Sequence, residues 1–198
     1  MKSVLRVFLF LSLSVVFLAG SGCGYNRIQQ QDEAVKAAWA EVLNQYKRRS
    51  DLIPNLVETV KGYAGHEKEV FVKVAEARAS AGSIQATPEL INDPQAFSRF
   101  VSAQSQMGSA LSRLLVVAEN YPELKANESF RDLSAEIAGA ENRITVARKR
   151  YIEAVEQYNV LIRSIPVNFT ALIFGYKIRP TFQVEDEREI SKPPEVKF

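Results

Sequence analysis

The chain has 198 residues, 46% of them hydrophobic, with 25 Lys and Arg against 23 Asp and Glu, which suits one globular domain or at most two. Lys2 and Arg6 precede Cys23 with no acid beside them; beyond them 23 basic residues meet 23 acidic ones, so the pI of about 8.6 owes its basic lean to the leader and a basic footprint for nucleic acid is not supported. One Cys and one His exclude an internal disulfide framework, a multi-Cys metal site and a multi-His metal site.

Residues 1–23 carry the positive charges Lys2 and Arg6, then an apolar run of twelve from Val7 to Leu18, interrupted only by Ser12 and Ser14, then Ala19-Gly20-Ser21-Gly22 and Cys23. This pattern describes a secretory signal peptide, and it falls short of the ~20 apolar residues that a spanning helix needs. Ser21, Gly22 and Cys23 fit a bacterial lipoprotein signal, with Cys23 as the lipidation candidate, although Gly20 stands where Leu is preferred. Three outcomes fit the leader: a lipoprotein, an uncleaved anchor, or full secretion. In the first two the membrane is a partner. Positive charge ahead of the apolar run places residues 24–198 outside the cytoplasm.

The body reads as helix. Steps of three and four from Ile28 reach Asp32, Val35, Trp39, Val42, Tyr46, Arg49, Ile53, Leu56, Val60, Tyr63, Glu67, Val70, Val74, Ala77 and Ala81, with only Asp32, Arg49 and Glu67 breaking the apolar seam. The register survives Pro54, which predicts a long first helix kinked there, while Gly62 and Gly65 bracket a break and Gly82 closes the stretch. Residues 83–94 form a connector with a short turn at Thr87-Pro88, and Asp93-Pro94 supplies an N-cap and a first-turn proline. The third helix carries Phe97, Phe100, Val101, Met107, Leu111, Leu114 and Leu115 on one face. Asn120 to Ala126 make a loop, and Asn127 caps a long last helix. Its seam of Phe130, Leu133, Ile137, Ala140, Ile144, Ala147, Tyr151, Ala154, Tyr158, Leu161 and Ile165 is uniformly apolar or aromatic, the mark of a bundle or coiled-coil face.

The fold class is therefore all-α: an antiparallel bundle of four helices over 28–62, 66–82, 95–118 and 128–165. The alternative keeps 28–82 as one kinked helix in a three-helix bundle. The domain plan is 1–23 signal or anchor, 24–165 bundle, and 166–198 a docked apolar segment followed by a loose tail.

Chemistry is sparse. His66-Glu67 suggests a zinc helix, but that motif needs a second His four positions on, where Val70 stands. No GxSxG or Gly-rich phosphate loop occurs. The sequence thus implies no enzyme, no metal and no cofactor. Of the seam charges, Asp32 and Glu67 are expected near helix ends and in water, with Arg49 paired to a facing carboxylate. A bend at Pro54 would expose a polar patch of Arg48, Arg49, Asp51 and Asn55, the candidate partner-binding surface. The competing reading is a ligand sensor or hydrolase built around His66, Arg49 and Asp51. Trp39, Tyr46, Tyr151 and Tyr158 read as core aromatics.

Several blocks together resemble the LemA family: Tyr25-Asn26, Trp39, Arg48 to Val57, Lys61 to Glu67, Ala77-Arg78, Glu119 to Leu124, Glu141 to Ile144, Ala147 to Tyr151, Tyr158-Asn159 and the exit at Pro166. The resemblance covers roughly residues 24–185. One departure is Ile152, where many members have Asn. The resemblance implies a bacterial membrane-associated protein with a helical-bundle domain and no catalytic residues or cofactor to carry over. Some members are tied to intracellular membrane formation, others to a membrane zinc protease or another envelope protein. The resulting expectation is a non-enzymatic scaffold or adaptor in the cell envelope, with an unidentified envelope protein as partner.

Overall fold

The computed structural model describes residues 2–182, and side chains from Gly24 onward. The expectations for the leader side chains, Cys23 among them, and for residues 183–198 lie outside the described residues.

Among the described residues the chain is all-helical. Helix α1 spans Lys2–Ala64, α2 Lys68–Ser83, a 3-10 turn Pro88–Asn92, α3 Pro94–Ala118, α4 Pro122–Ala126, α5 Glu128–Arg163 and α6 Val167–Ile173. The expected start near residue 28 is corrected: α1 passes from the leader into the body without a break. Gly20, Gly22 and Gly24 are the weakest formers on the way, each costing a helix about 1 kcal/mol, and no proline interrupts the stretch. The helix also continues through Pro54. It ends at Ala64, beside the predicted break, and the turn at Gly65-His66 reverses the chain into α2.

The caps follow the sequence. Asp93 accepts hydrogen bonds from the Gln95 and Ala96 amides at 2.9 and 3.1 Å, with Pro94 at the first helical position. Asn127 accepts from the Phe130 amide at 3.0 Å. The loop expected over 120–126 is corrected to one turn of helix, α4, because Leu124 is drawn fully into the core.

Helix α1 lies antiparallel along α5, and α2 along α3. The core divides along the rod. At the end nearer Gly24, Ile28, Val35, Trp39 and Val42 meet Phe97, Phe100, Ile144, Tyr151, Tyr158 and Leu161. Towards the α1–α2 turn, Ile53, Leu56, Val60 and Ala64 meet Phe71, Val74, Met107, Leu114, Leu124, Phe130 and Ile137. Trp39 is fully buried, and its ring lies within 5.5 Å of Phe97, Phe100 and Tyr151. Such tilted and edge-on aromatic pairs add to the gain from burial.

After α5 a cis Ile165–Pro166 bond leads into α6. The chain then runs extended from Tyr176 to Phe182 back over α1 and α5. Phe182 is buried and completes the aromatic cluster, 5.1 Å from Phe97 and 5.5 Å from Tyr151.

Candidate functional site

The seam charges organise two polar centres inside this apolar frame. Arg49 is only 3% exposed. Its Nη1 donates to Glu141 Oε1 at 2.6 Å, and its Nη2 donates to Gln104 Oε1 at 2.7 Å and to the Gln104 carbonyl at 3.2 Å. The guanidinium also sits 5.2 Å from the centre of the Tyr46 ring. Three helices thus meet at one cation: α1 supplies it, α5 the carboxylate and α3 the amide. The expected facing carboxylate is Glu141, whose own side chain is 42% exposed.

This pair borders a cleft of about 560 Å³ lined by Tyr46, Gln104, Ser105, Ser109, Glu141 and Arg148 among others. Arg148 stacks over the Phe182 ring at 4.4 Å. The two cations of the cleft are therefore engaged with groups of the chain itself. No histidine reaches the cleft, since the only one, His66, is exposed at the α1–α2 turn. His66 lies 17 positions along from Arg49, about 25 Å at the helical rise. The structure does not bring His66, Arg49 and Asp51 together.

The expected exposed patch is corrected at Arg49. Arg48, Asp51 and Asn55 follow steps of three and four, share one face and are exposed; Arg49 is turned 100° away into the core. Asp51 forms an exposed ion pair with Lys47 at 3.6 Å. A second groove of about 260 Å³ lies beside Asp51 and Ser50, walled by Leu43, Ala81, Ile84 and Met107.

Asp32 forms the second centre. It was expected near water, but it is buried and held by Arg179 at 2.6 Å and by Lys36 at 2.9 Å. Burial works against its charge; the Lys36 and Arg179 hydrogen bonds outweigh burial and hold the carboxyl below its usual value. Around it the returning segment is fastened at several points. Asn159 pairs with the Arg179 backbone in both directions, at 2.8 and 3.0 Å. The Tyr151 hydroxyl donates to the Pro180 carbonyl at 2.8 Å. Arg179 also lies 5.6 Å from the centre of the Tyr158 ring. Desolvation raises the Tyr151 and Tyr158 phenols above their usual value, so both stay neutral; Tyr151 donates, and Tyr158 meets Arg179 through its ring. Sequence reasoning missed Arg179 and Phe182. The available signal was the seam acid Asp32, which Lys36 four residues on can pair from the rim but which, facing inward, has room for a second cation.

Glu67, the third seam misfit, is half-buried in the α1–α2 turn and accepts the Tyr121 hydroxyl at 3.2 Å. Across the same end, Asn127 donates to the Tyr63 hydroxyl at 3.0 Å. The sequence blocks that stand out by eye therefore serve as clasps between helices: Arg49 to Glu141, Glu67 to Tyr121, and Tyr151, Tyr158 and Asn159 to the returning strap.

The chain is 28% identical over 188 residues to magnetosome protein MamQ 2 of Paramagnetospirillum magneticum, covering 86% of this chain and 69% of the relative. It is 26% identical to magnetosome protein MamQ of Magnetospirillum gryphiswaldense, over 74% of this chain and 59% of the relative. It is 23% identical to protein LemA of Metamycoplasma hominis, over 83% of this chain and 71% of that one. The LemA family model matches residues 38–198, a span that takes in Trp39, the Arg49–Glu141 clasp and the whole strap, and the chain belongs to the LemA family.

Proposed function

We propose that the chain is a membrane-tethered, non-enzymatic scaffold or adaptor of the bacterial cell envelope. The chain beyond the leader, residues 24–198, stands on the extracytoplasmic side, and its helical bundle presents a surface to a partner protein. The observation that carries this reading is the course of α1. One helix begins in the apolar leader and continues as the central rod of the packed body. A tether and a body built on one helix keep the body beside the bilayer, which is what a scaffold requires. From Gly24 to Phe182 no helix is long and apolar enough to cross a membrane; the apolar run from Val7 to Leu18 supports placing the attachment in the leader. Arg48, Asp51 and Asn55 form the candidate docking face.

Crosslinking in intact membranes, followed by identification of what is captured, tests the scaffold; repeated recovery of no defined protein would count against it. Palmitate labelling that disappears in Cys23→Ala would assign the tether to a lipid. Labelling that is absent in the parent chain, with the chain still membrane-bound, would assign it to an uncleaved anchor.

The Arg49 cleft favours a second reading, a ligand sensor, because its volume falls in the roughly 300–1,000 Å³ range of small-molecule sites. A thermal-shift screen would register a ligand there, and loss of that shift in Arg49→Met would place it. The hydrolase form of this reading loses its geometry, since His66 stands far from the cleft.

A further inference from the structure

Helix α6 is apolar on two sides. Val167, Thr170 and Ala171 are buried against the bundle. The opposite side and its flanks carry Ile165, Phe169, Leu172, Ile173, Phe174 and Ile178, all between 55% and 81% exposed. Single exposed apolar residues are ordinary, whereas six gathered on one short segment mark a surface that meets something.

Its position says what. Helix α6 packs on α1 at Gly24: a side-chain carbon added there would sit 3.4 Å from Val167. The Tyr25 ring packs tilted against Phe174, 4.9 Å between centres. The apolar run of the leader ends at Leu18, six positions before Gly24, or about 9 Å along a helix. A membrane leader that stops there puts α6 at the level of the headgroups. The surroundings suit that depth. Tyr25 and Tyr176 offer amphipathic rings of the kind found at membrane interfaces. Arg27, Arg163 and Lys177 are exposed around the same end, where cations meet anionic headgroups.

We propose that the exposed side of α6, with Phe174 and Ile178, inserts into the lipid interface beside the leader and forms a second membrane contact of the bundle. The occupant is the bilayer itself. The inference rests on the tethered reading above. A leader alone leaves the rod free to tilt; a second contact fixes its angle to the membrane.

The test uses the full chain reconstituted into vesicles of phosphatidylcholine and phosphatidylglycerol, with and without brominated acyl chains. Leu172→Trp places a reporter in the patch. Tyr63→Trp places one at the far end of the rod, about 57 Å along α1 from Tyr25, and the unaltered chain supplies the Trp39 background. Flotation with the vesicles reads the tether independently. The expected result is flotation of all three chains, with a blue shift and loss of emission in brominated vesicles for Leu172→Trp alone. Flotation with an unquenched Leu172→Trp overturns the α6 contact and leaves the tether standing. Failure to float overturns both. A reporter already blue-shifted without vesicles, in a chain that sediments as a dimer and becomes monomeric in Ile173→Asp, assigns the patch to a second copy and overturns the lipid contact.

Discussion

Removal of Glu141 is the sharpest perturbation the structure offers. Arg49 is 3% exposed and its charge is met by one carboxylate at 2.6 Å. In Glu141→Ala the guanidinium keeps Gln104 and the face of Tyr46 but no counter-charge. Breaking a buried ion pair from one side costs roughly 3–5 kcal/mol, because the remaining charge stays desolvated. The cleft beside Arg49 admits water and Glu141 is 42% exposed, so the cost falls to or somewhat below the bottom of that range, about 2–3 kcal/mol. A chain of this size loses ~2–4 °C of melting temperature per kcal/mol, which gives a fall of about 5–10 °C. The reverse change, Arg49→Met, keeps the packed stem and leaves Glu141 free to hydrate, so it costs about 1–2 kcal/mol. The double variant should lie close to Arg49→Met and well short of the sum. Urea melts of the three variants at neutral pH measure the cycle, and the loss in Glu141→Ala should persist at high salt, since buried pairs are little screened. A cost for Glu141→Ala within about 0.5 kcal/mol, the range of ordinary surface changes, would refute the reasoning. So would an Arg49→Met variant weaker than Glu141→Ala.

Three further outcomes follow from the other contacts. Asp32→Asn should lower stability by about 2–3 kcal/mol at pH 7, because Arg179 loses its charged partner; since the Asp32 carboxyl is held below its ordinary value of 3.8, its contribution is full above that pH and fades as pH falls through the lower folded value, so the gap between parent and variant in urea melts should narrow below about pH 4. Phe182→Ala should cost roughly 3 kcal/mol and speed hydrogen exchange in the strap, a change visible by mass spectrometry; a strap that exchanges as before would contradict its anchoring in the Trp39 cluster. Arg48→Ala should leave the melt within about 0.5 kcal/mol while weakening recovery of the crosslinked partner, and undiminished recovery would remove Arg48 from the docking face.

The sequence made the helices legible because their burial is periodic. The seam from Phe130 to Leu161 reappears as the inward face of α5, with Leu133 and Ala154 half-buried at its margin, while Ile165 lies past the helix end and is 81% exposed; Asp93 and Asn127 cap as residue type and spacing predict. Burial of Trp39, Tyr46, Tyr151 and Tyr158 was equally readable from the same register. What periodicity left hidden was pairing across distance. Asp32 meets Arg179, 147 positions away, and no local pattern announces a contact between the first helix and an extended tail. The polar patch failed at Arg49 for a related reason. Four neighbouring polar residues look alike in a sequence, yet a helix turns 100° per residue, and only Arg48, Asp51 and Asn55 share a face. The seam had already placed Arg49 inward; expecting it on the patch as well set two readings of one residue against each other.

These contacts also explain how a short helix with an oily outer side keeps its place. A seven-residue helix is too short to hold its shape in water by itself. Helix α6 is tied at one end by the close of α5 at Ile162 and at the other by the strap, where Asp32, Tyr151 and Asn159 grip Arg179 and Pro180. Val167 and Thr170 then seat it against α1 at Gly24, with Ala171 buried beside them. Three of those gripping side chains, on α1 and α5, lie within the two longest helices of the chain. The strap therefore transmits the rigidity of the α1–α5 pair to α6 and keeps Phe169, Leu172 and Ile173 turned outward at the point where the leader meets the bundle. Loosening the strap should release α6 before it unfolds the rod. In reconstituted vesicles, Asn159→Ala combined with Leu172→Trp should thus lose lipid quenching at a denaturant concentration that leaves the helical circular dichroism signal intact; simultaneous loss of the two signals would show that α6 is held by the core and not by the strap.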